Sequence, residues 1–266
     1  MNETRKIVLI TGAAKRIGHI IALEMAKAGW DIAIHYGKSK QEADETAKLV
    51  ITMGQQAICL GADLAHESEV EQLLPTCIEK LGLPDCIVNN ASIFEYDDPS
   101  SFQHQNLTQH MAVNLAAPVL LTKIFAQFLK DSPLKKGVVV HLLDQKLDNL
   151  NPDFFSYTLS KSALNTAVTM QAMFFAPQLR VMGVAPGISL TSGDQSQEGF
   201  EEAHQAVLLG QSSTPKDIAQ AILYITQAQA MTGSVLYVDG GQHLQSSPRD
   251  VMFLTQANKD MSTTPP

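Results

Sequence analysis

Tyr157 and Lys161 stand one helical turn apart in Tyr157-Thr158-Leu159-Ser160-Lys161, and Asp144 precedes them at the exit of an apolar run. On a helix, residues i and i+4 share one face. An ammonium beside a phenol favours the phenolate and lowers the tyrosine pKa, which makes a proton donor usable near neutral pH. The same spacing recurs at Tyr36 and Lys40, so the surrounding elements have to separate the two pairs.

Those elements are legible as apolar runs alternating with helical periodicity. Ile7–Ile10, Asp31–Tyr36, Ala57–Leu60, Asp85–Val88, Gly137–Leu143, Leu179–Val184 and Ser234–Val238 read as strands. Ile17–Ala28, Gln41–Met53, Glu67–Leu81 (with Pro75 inside it), Phe102–Leu115, Pro118–Lys130, Ser156–Ala176 and Pro215–Gln227 read as helices. Thr214 is the expected cap of the last helix and Pro215 its first residue. This alternation predicts an α/β fold: a single-domain, Rossmann-type, doubly wound sheet of seven mainly parallel strands, flanked by helices on both faces. The expected division is a domain over 1–245 and a partly flexible C-terminal tail over 246–266, with Asn258–Pro266 frayed. Ile188–Gly210, rich in Ser, Gly, Gln and Glu between a strand and a helix, has the place of a lid.

The first strand runs into Thr11-Gly12-Ala13-Ala14-Lys15-Arg16-Ile17-Gly18 and then a helix. Glycines at such a turn let backbone N–H groups approach a pyrophosphate at the positive helix end. The second strand ends in His35-Tyr36-Gly37-Lys38-Ser39 and carries no acid there for a ribose 2′-hydroxyl; Asp31 lies at its other end. Lys38 and Ser39 can meet a 2′-phosphate, and Lys15 and Arg16 add positive charge, so the expected cofactor is NADP(H). The alternative is an ordinary solvated cationic surface.

The 266-residue chain is 45% hydrophobic and 17% charged, an ordinary globular composition. A net charge of −8 argues against nucleic acid and against an anionic membrane as partner. Cys59, Cys77 and Cys86 form no Cys-x-x-Cys pattern and are expected as buried thiols, with no metal site. The N-terminal apolar run is too short for a signal peptide or a span, and a cytoplasmic location is expected.

With the glycine turn, Asn89-Asn90-Ala91-Ser92, Asn114, Tyr157/Lys161 and Pro186-Gly187 in this order, the chain resembles the short-chain dehydrogenase/reductase family over about residues 5–244. The resemblance selects Tyr157 over Tyr36, because Tyr157 follows a strand and opens a long helix. It implies that Tyr157 protonates the group receiving electrons and that Lys161 bonds the nicotinamide ribose. Asn114 would hold a relay water. Asp63-Leu64 would flank the adenine. Asn90, Ala91, Pro186 and Gly187 would line the cofactor, and Asp239-Gly240-Gly241 matches the family's closing turn. Arg16, Ser92 and Asp144 replace the family's more usual glycine, glycine and serine, and in this they are similar to pteridine reductases. Phe94 matches that branch's aromatic that stacks on the pterin.

These departures make chemical sense for a flat, nitrogen-rich ring. Such a ring needs an aromatic face and protons delivered to ring nitrogens. Asp144, if burial raises its pKa, can carry one, and Arg16 can reach the pterin oxygen or a cofactor phosphate. The expected activity is NADPH-dependent hydride transfer to a C=N bond of a dihydropterin-like (pteridine or folate-type) substrate. The alternatives are a carbonyl or 3-oxoacyl reductase of the same family and a non-catalytic NADPH-binding scaffold. The resemblance also implies a homotetramer, or homodimer, through the helices around Pro118–Lys130 and Ser156–Ala176. Each site residue keeps a plainer reading: Asp144 as an exposed loop acid, Phe94 as packing, Ser92 as a tolerant turn, Asn114 as a helix interruption. His141 is expected as a satisfied core histidine, and Met170 and Met173 as helix-interface packing.

Overall fold

Runs such as Val8-Leu9-Ile10 and Val138-Val139-Val140 are apolar on both pleat faces, so both faces of their strands have to be covered. The computed structural model describes residues 5–132, 135–191 and 195–254 and shows how. The strands are β1 (Lys6–Ile10), β2 (Trp30–Tyr36), β3 (Ala57–Gly61), β4 (Cys86–Asn89), β5 (Gly137–Leu142), β6 (Leu179–Pro186) and β7 (Val235–Val238). They form one sheet in the order β3-β2-β1-β4-β5-β6-β7. Every neighbouring pair is parallel, with β1 between β2 and β4 through Val8↔Ile32 and Val8↔Cys86.

The helices are α1 (Arg16–Lys27), α2 (Lys40–Thr52), α3 (Glu67–Lys80), α4 (His104–Met111), α5 (Ala117–Lys130), α6 (Phe155–Phe175), α7 (Gln197–Gln205) and α8 (Pro215–Gln227). Residues of α1, α2 and α8, among them Ile21, Met25, Val50 and Ile222, fill one core against one sheet face. Residues of α3, α5 and α6, among them Leu74, Phe125, Leu129 and Val168, fill a second core on the other. The sheet order reverses direction between β1 and β4, and open α/β sheets hold ligands in the crevice beyond the strand ends at that point.

Three elements depart from the sequence reading. Phe102–Leu115 and Pro118–Lys130, expected as two helices, run on through a π-helical turn at Ala112–Ala116. The joined stretch His104–Lys130 is long and apolar enough to cross a membrane by length and composition. In this fold the inward side of α5, with Leu121, Phe125 and Leu129, is buried in the second core. The expected lid contains α7, capped by the Ser196 hydroxyl at 3.0 Å from the Gly199 N–H; residues 192–194 of it lie outside the described residues. Residues 246–254 fold back on the body, whereas Asn258–Pro266 lie outside the described residues.

Cys77 and Cys86 are buried and Cys59 is half-buried, all as free thiols. Burial pushes Cys59 up to about 11 and Cys77 up to about 12, which leaves little thiolate. Met170 and Met173, expected at a helix interface, are exposed on α6 beside Phe174 among the described residues.

His141 on β5 is the satisfied core histidine that the sequence suggests. Its ring lies 3.2 Å from Asn89 Nδ2 and 3.2 Å from Gln171 Oε1, and Gln171 donates in turn to Val119 O. Burial pushes its imidazole down to about 4, and the nearby Lys161 ammonium acts in the same direction. The unfolded chain therefore binds more protons than the fold below the ordinary histidine pKa of 6.5. This residue should remove about 2 kcal/mol of stability between pH 7 and pH 5. Urea unfolding at the two pH values checks this: the loss should shrink by that amount in His141→Gln.

Candidate active site

Tyr157 is fixed by a contact from far back in the sequence. The chain enters α6 through Phe154 in the left-handed conformation, φ 55°. Asp97, buried, then takes the first turn: its Oδ1 accepts the Ser156 N–H at 2.9 Å, its Oδ2 the Ser156 hydroxyl, and its carbonyl the Phe155 N–H at 3.1 Å. One turn on, Lys161 is buried beneath the tyrosine, its Nζ donating to Leu142 O at 2.7 Å. The end of β5 meets the start of α6 where the Tyr157 hydroxyl donates to Asp144 Oδ2 at 2.8 Å.

The electrostatics of this trio invert one expectation. Burial, followed by the charge and hydrogen bond of Asp144, holds the Tyr157 phenol well above its ordinary range. Lys161 does not pull it down, because its ammonium bonds the Leu142 carbonyl and sits 5.7 Å from the centre of the phenol ring. Burial lowers Lys161 itself to about 8. Asp144 is pushed up by burial, against the opposing hydrogen bonds from Lys146 N–H and Tyr157. The arrangement is a neutral phenol aimed at a carboxyl with raised proton affinity: a proton reservoir facing a cavity.

That cavity, of about 440 Å³, is lined by Gly12, Lys15, Arg16, Ile17 and Gly18 on one side and by Pro186, Gly187 and Ile188 on the other. Asn90, Ala91, Ser92, Phe94, Asp144, Tyr157 and Lys161 also line it. The β1 and β4 exits are stitched together. Thr11 Oγ1 accepts the Asn90 and Ala91 N–H groups at 3.0 Å each, and Asn90 Nδ2 donates to Thr11 O at 2.9 Å and Gly12 O at 3.2 Å. Gly12 has φ +64°, and a Cβ there would lie 3.0 Å from Ala91 Cα. A Cβ on Gly18 would lie 2.2 Å from Gly12 O. This close backbone approach at the start of α1 fits a dinucleotide pyrophosphate.

Arg16 takes the left-handed conformation, φ 55°, where the family's usual residue is glycine. Its Nη2 donates to Thr191 O at 2.9 Å, so it spans the cavity mouth. Strain of about 1–3 kcal/mol at such a residue is common where a site demands the side chain. Phe94 stacks on Phe154 with centroids 4.1 Å apart and meets Tyr157 edge-on at 4.8 Å. It is 40% exposed, so it is both packed and available to the cavity.

Several expected cofactor residues lie outside the lining of this cavity. His35 is buried behind the glycine turn: Nδ1 accepts the Gly12 N–H at 3.1 Å and Nε2 donates to Ala62 O at 3.0 Å, so it shapes the turn and does not face the cavity. The Tyr36 ring packs over Gly61. Lys40, its partner in the competing pair, is exposed and bonds Asp44 at 2.6 Å. Asp63 and Leu64 follow β3, away from the cavity lining, with Asp63 Oδ1 accepting the Ala65 N–H.

Asn114, placed by the π-helical turn, is buried with all its amide capacity used. Its Oδ1 accepts from Ile93 N–H and Ser92 Oγ, and its Nδ2 donates to Ile93 O and Ser160 Oγ. Its side chain thereby braces the Ser92–Ile93 turn. Lys15 pairs with Glu42, whereas Lys38 is exposed and without an ion-pair partner among the described residues. Among the cavity residues that the sequence reading missed are Lys146, Asp250, Val251 and Met252. Lys146 had a signal, its place two residues after Asp144. The other three lay in what reads as a tail.

Comparison with known proteins agrees with this geometry. A family model described as enoyl-(acyl carrier protein) reductase matches residues 12–243. A FolM alternative dihydrofolate reductase 1 from Brucella canis, solved in complex with NADP, is 33% identical, with a TM-score of 0.85 over 92% of this chain and 97% of that one. Its counterpart from Brucella suis, also with NADP, is 33% identical, with a TM-score of 0.84 over 92% and 98%. A 3-oxoacyl-[acyl-carrier-protein] reductase from Synechocystis is 26% identical over 90% of this chain and 97% of its own length.

The cradle at Gly18 yields a direct check. Gly18→Ala forces a methyl against the Gly12 carbonyl, which is backbone and cannot rotate away. The variant should lose about 1–3 kcal/mol in chemical denaturation.

Proposed function

The chain belongs to the short-chain dehydrogenase/reductase family, and from that premise we propose that it is an NADPH-dependent reductase delivering hydride to a C=N bond of a dihydropterin-like ring. The observation that carries the pterin reading is the Asp144 carboxyl 2.8 Å from the Tyr157 hydroxyl. A carbonyl reductase has to stabilise a developing oxyanion, and a carboxylate at that place repels it unless it is protonated. Reduction of C=N asks for a proton at nitrogen, and this pair holds one.

The cofactor fit rests on the backbone cradle of Gly12 and Gly18 at the start of α1. At the end of β2, Lys38 and Ser39 would meet a 2′-phosphate, and the strand's acid, Asp31, is spent at the far end on the Gln56 N–H at 2.7 Å. Bound there, NADPH supplies the hydride. Lys161 would hold the nicotinamide ribose and Asn90, Ala91, Pro186 and Gly187 the nicotinamide end. His35 and Asn114 support this site from behind. Phe94 would present its open face to the pterin, with Arg16 and Ser92 at the ring edge. Tyr157 donates the proton to the reduced nitrogen, and Asp144 replenishes it.

The Synechocystis likeness keeps a second reading, a 3-oxoacyl reductase. The deciding assay is NADPH oxidation with dihydropterins, dihydrofolate and β-keto thioesters; turnover of the thioester alone rejects the pterin reading. Tyr157→Phe should lower kcat by about 10²–10⁴-fold and leave NADPH binding nearly unchanged. Because burial raises Asp144, its proton is lost only as pH rises above the usual carboxylate range, and kcat should fall on that alkaline side. KM for NADH should exceed that for NADPH; equal values overturn the 2′-phosphate assignment.

The same reading makes the protein a cytoplasmic homotetramer or homodimer. Supporting it, Leu159, Met170, Met173 and Phe174 are exposed on α6, at 42–78%. Light scattering should return a multiple of 28.9 kDa, and Phe174→Glu should reduce it.

A further inference from the structure

The cavity has a wall made by the C-terminal segment. Arg249 Nε donates to Asp153 Oδ1 at 3.0 Å and to Oδ2 at 2.8 Å, and the Asp250 N–H donates to the same Oδ2 at 2.7 Å. Asp153 is 1% exposed. Phe253 stacks on Phe154 at 6.2 Å and meets Tyr96 edge-on at 5.5 Å, and the Arg249 guanidinium lies 5.0 Å over the Phe253 ring. Residues 249–253 are thus strapped over the mouth of α6, and Asp250, Val251 and Met252 face the cavity.

This brings a second carboxyl into the space of Asp144. Asp250 Oδ2 lies 3.1 Å from Lys146 Nζ, which is buried and also donates to Asp153 O at 2.6 Å. The Lys146 N–H in turn donates to Asp144 Oδ1 at 2.9 Å. Around Asp144 stand the Tyr157 hydroxyl and Lys161 ammonium from α6, Lys146 from the turn after β5, Arg16 from across the cavity and Asp250 from the strap. The cations are already committed: Lys161 to Leu142 O, Lys146 to Asp250 and Asp153 O, Arg16 to Thr191 O.

We propose that Asp250 is a positioning residue for the active-site proton: fixed on the strap by Lys146, its carboxylate keeps that proton on the Asp144–Tyr157 pair. The strap, and not α6 alone, then sets the acid of the site. Two acids sharing a poorly solvated space hold a proton more tightly than one. In keeping with this, after burial the Asp250 charge acts to raise both Asp144 and Tyr157, while the Lys146 ammonium between the two acids acts to lower Asp144. The inference rests on the reading of that pair as the proton source.

The test is carboxyl-carbon NMR of the full chain labelled at aspartate, with the Asp144 signal assigned by its loss in Asp144→Asn. Asp250→Asn keeps the shape and an oxygen for Lys146; Asp250→Ser is a second neutral variant should the first fail to fold. Either should lower the Asp144 titration midpoint, and Asp250→Glu should restore it. With a dihydropterin as substrate, the alkaline limb of kcat should move the same way. Superimposable Asp144 titrations in the parent and a neutral variant overturn the inference. Absence of dihydropterin turnover overturns the proposed function instead, and the titration still decides the role of Asp250.

Discussion

The 2.8 Å hydrogen bond from Tyr157 to Asp144 is the contact on which the rest of the site depends. A phenol and a carboxyl out of water lose solvation, so each has to be held where the other satisfies it. That requirement reaches outward. Asp97 fixes the first turn of α6, and with it the direction of the tyrosine. The Leu142 carbonyl takes the Lys161 ammonium, which locks the second turn to β5. One residue earlier on β5, the neutral His141 joins Asn89 of β4 to Gln171 of α6. The three elements that carry the chemistry are therefore tied by buried polar contacts, and a rotation of α6 breaks several at once.

The crevice between β1 and β4 is the second constraint. Parallel strands that diverge at a switch point leave unpaired backbone groups at their exits. Here Thr11 and Asn90 satisfy those groups reciprocally, and His35 takes the Gly12 N–H from below. Lys15 offers no side-chain cap to the start of α1, whose residues Arg16, Ile17 and Gly18 line the cavity. The turn is thus rigid on its protein side and open on its ligand side, as binding an anion by backbone requires.

What the sequence made legible is what local pattern controls. Apolar runs located all the strands to within a residue or two, and Thr214-Pro215 marked the start of α8, where the capping box forms with Asp217. Tyr157/Lys161 stood out from Tyr36/Lys40 by the elements before and after it. What local pattern does not show is tertiary. Nothing local says that Asn114 sits in a π-helical turn and spends its amide on the Ser92–Ile93 backbone. His35 follows a strand in the place of a cofactor contact, yet a side chain whose two ring nitrogens meet Gly12 and Ala62 points into the protein. Arg249-Asp250 reads as a polar tail because its partner, Asp153, is distant in sequence; only the fold brings the two together.

The aspartate at position 144 changes more than one contact, because charge in a confined space is shared. With serine there, the charge and hydrogen bond of the acid that raise the tyrosine would be gone. With Asp144, Lys161, lowered to about 8 by burial, is itself held charged partly by the acid. The phenol stays neutral. A site tuned this way holds its protons tightly. Hydride transfer to C=O or to C=N ends with a proton on the heteroatom, and here two groups, Tyr157 and Asp144, stand in line to supply it. The proton affinity of the site is therefore a property of the whole charge set around Tyr157, in which Asp144 is joined by Lys146 and Asp250.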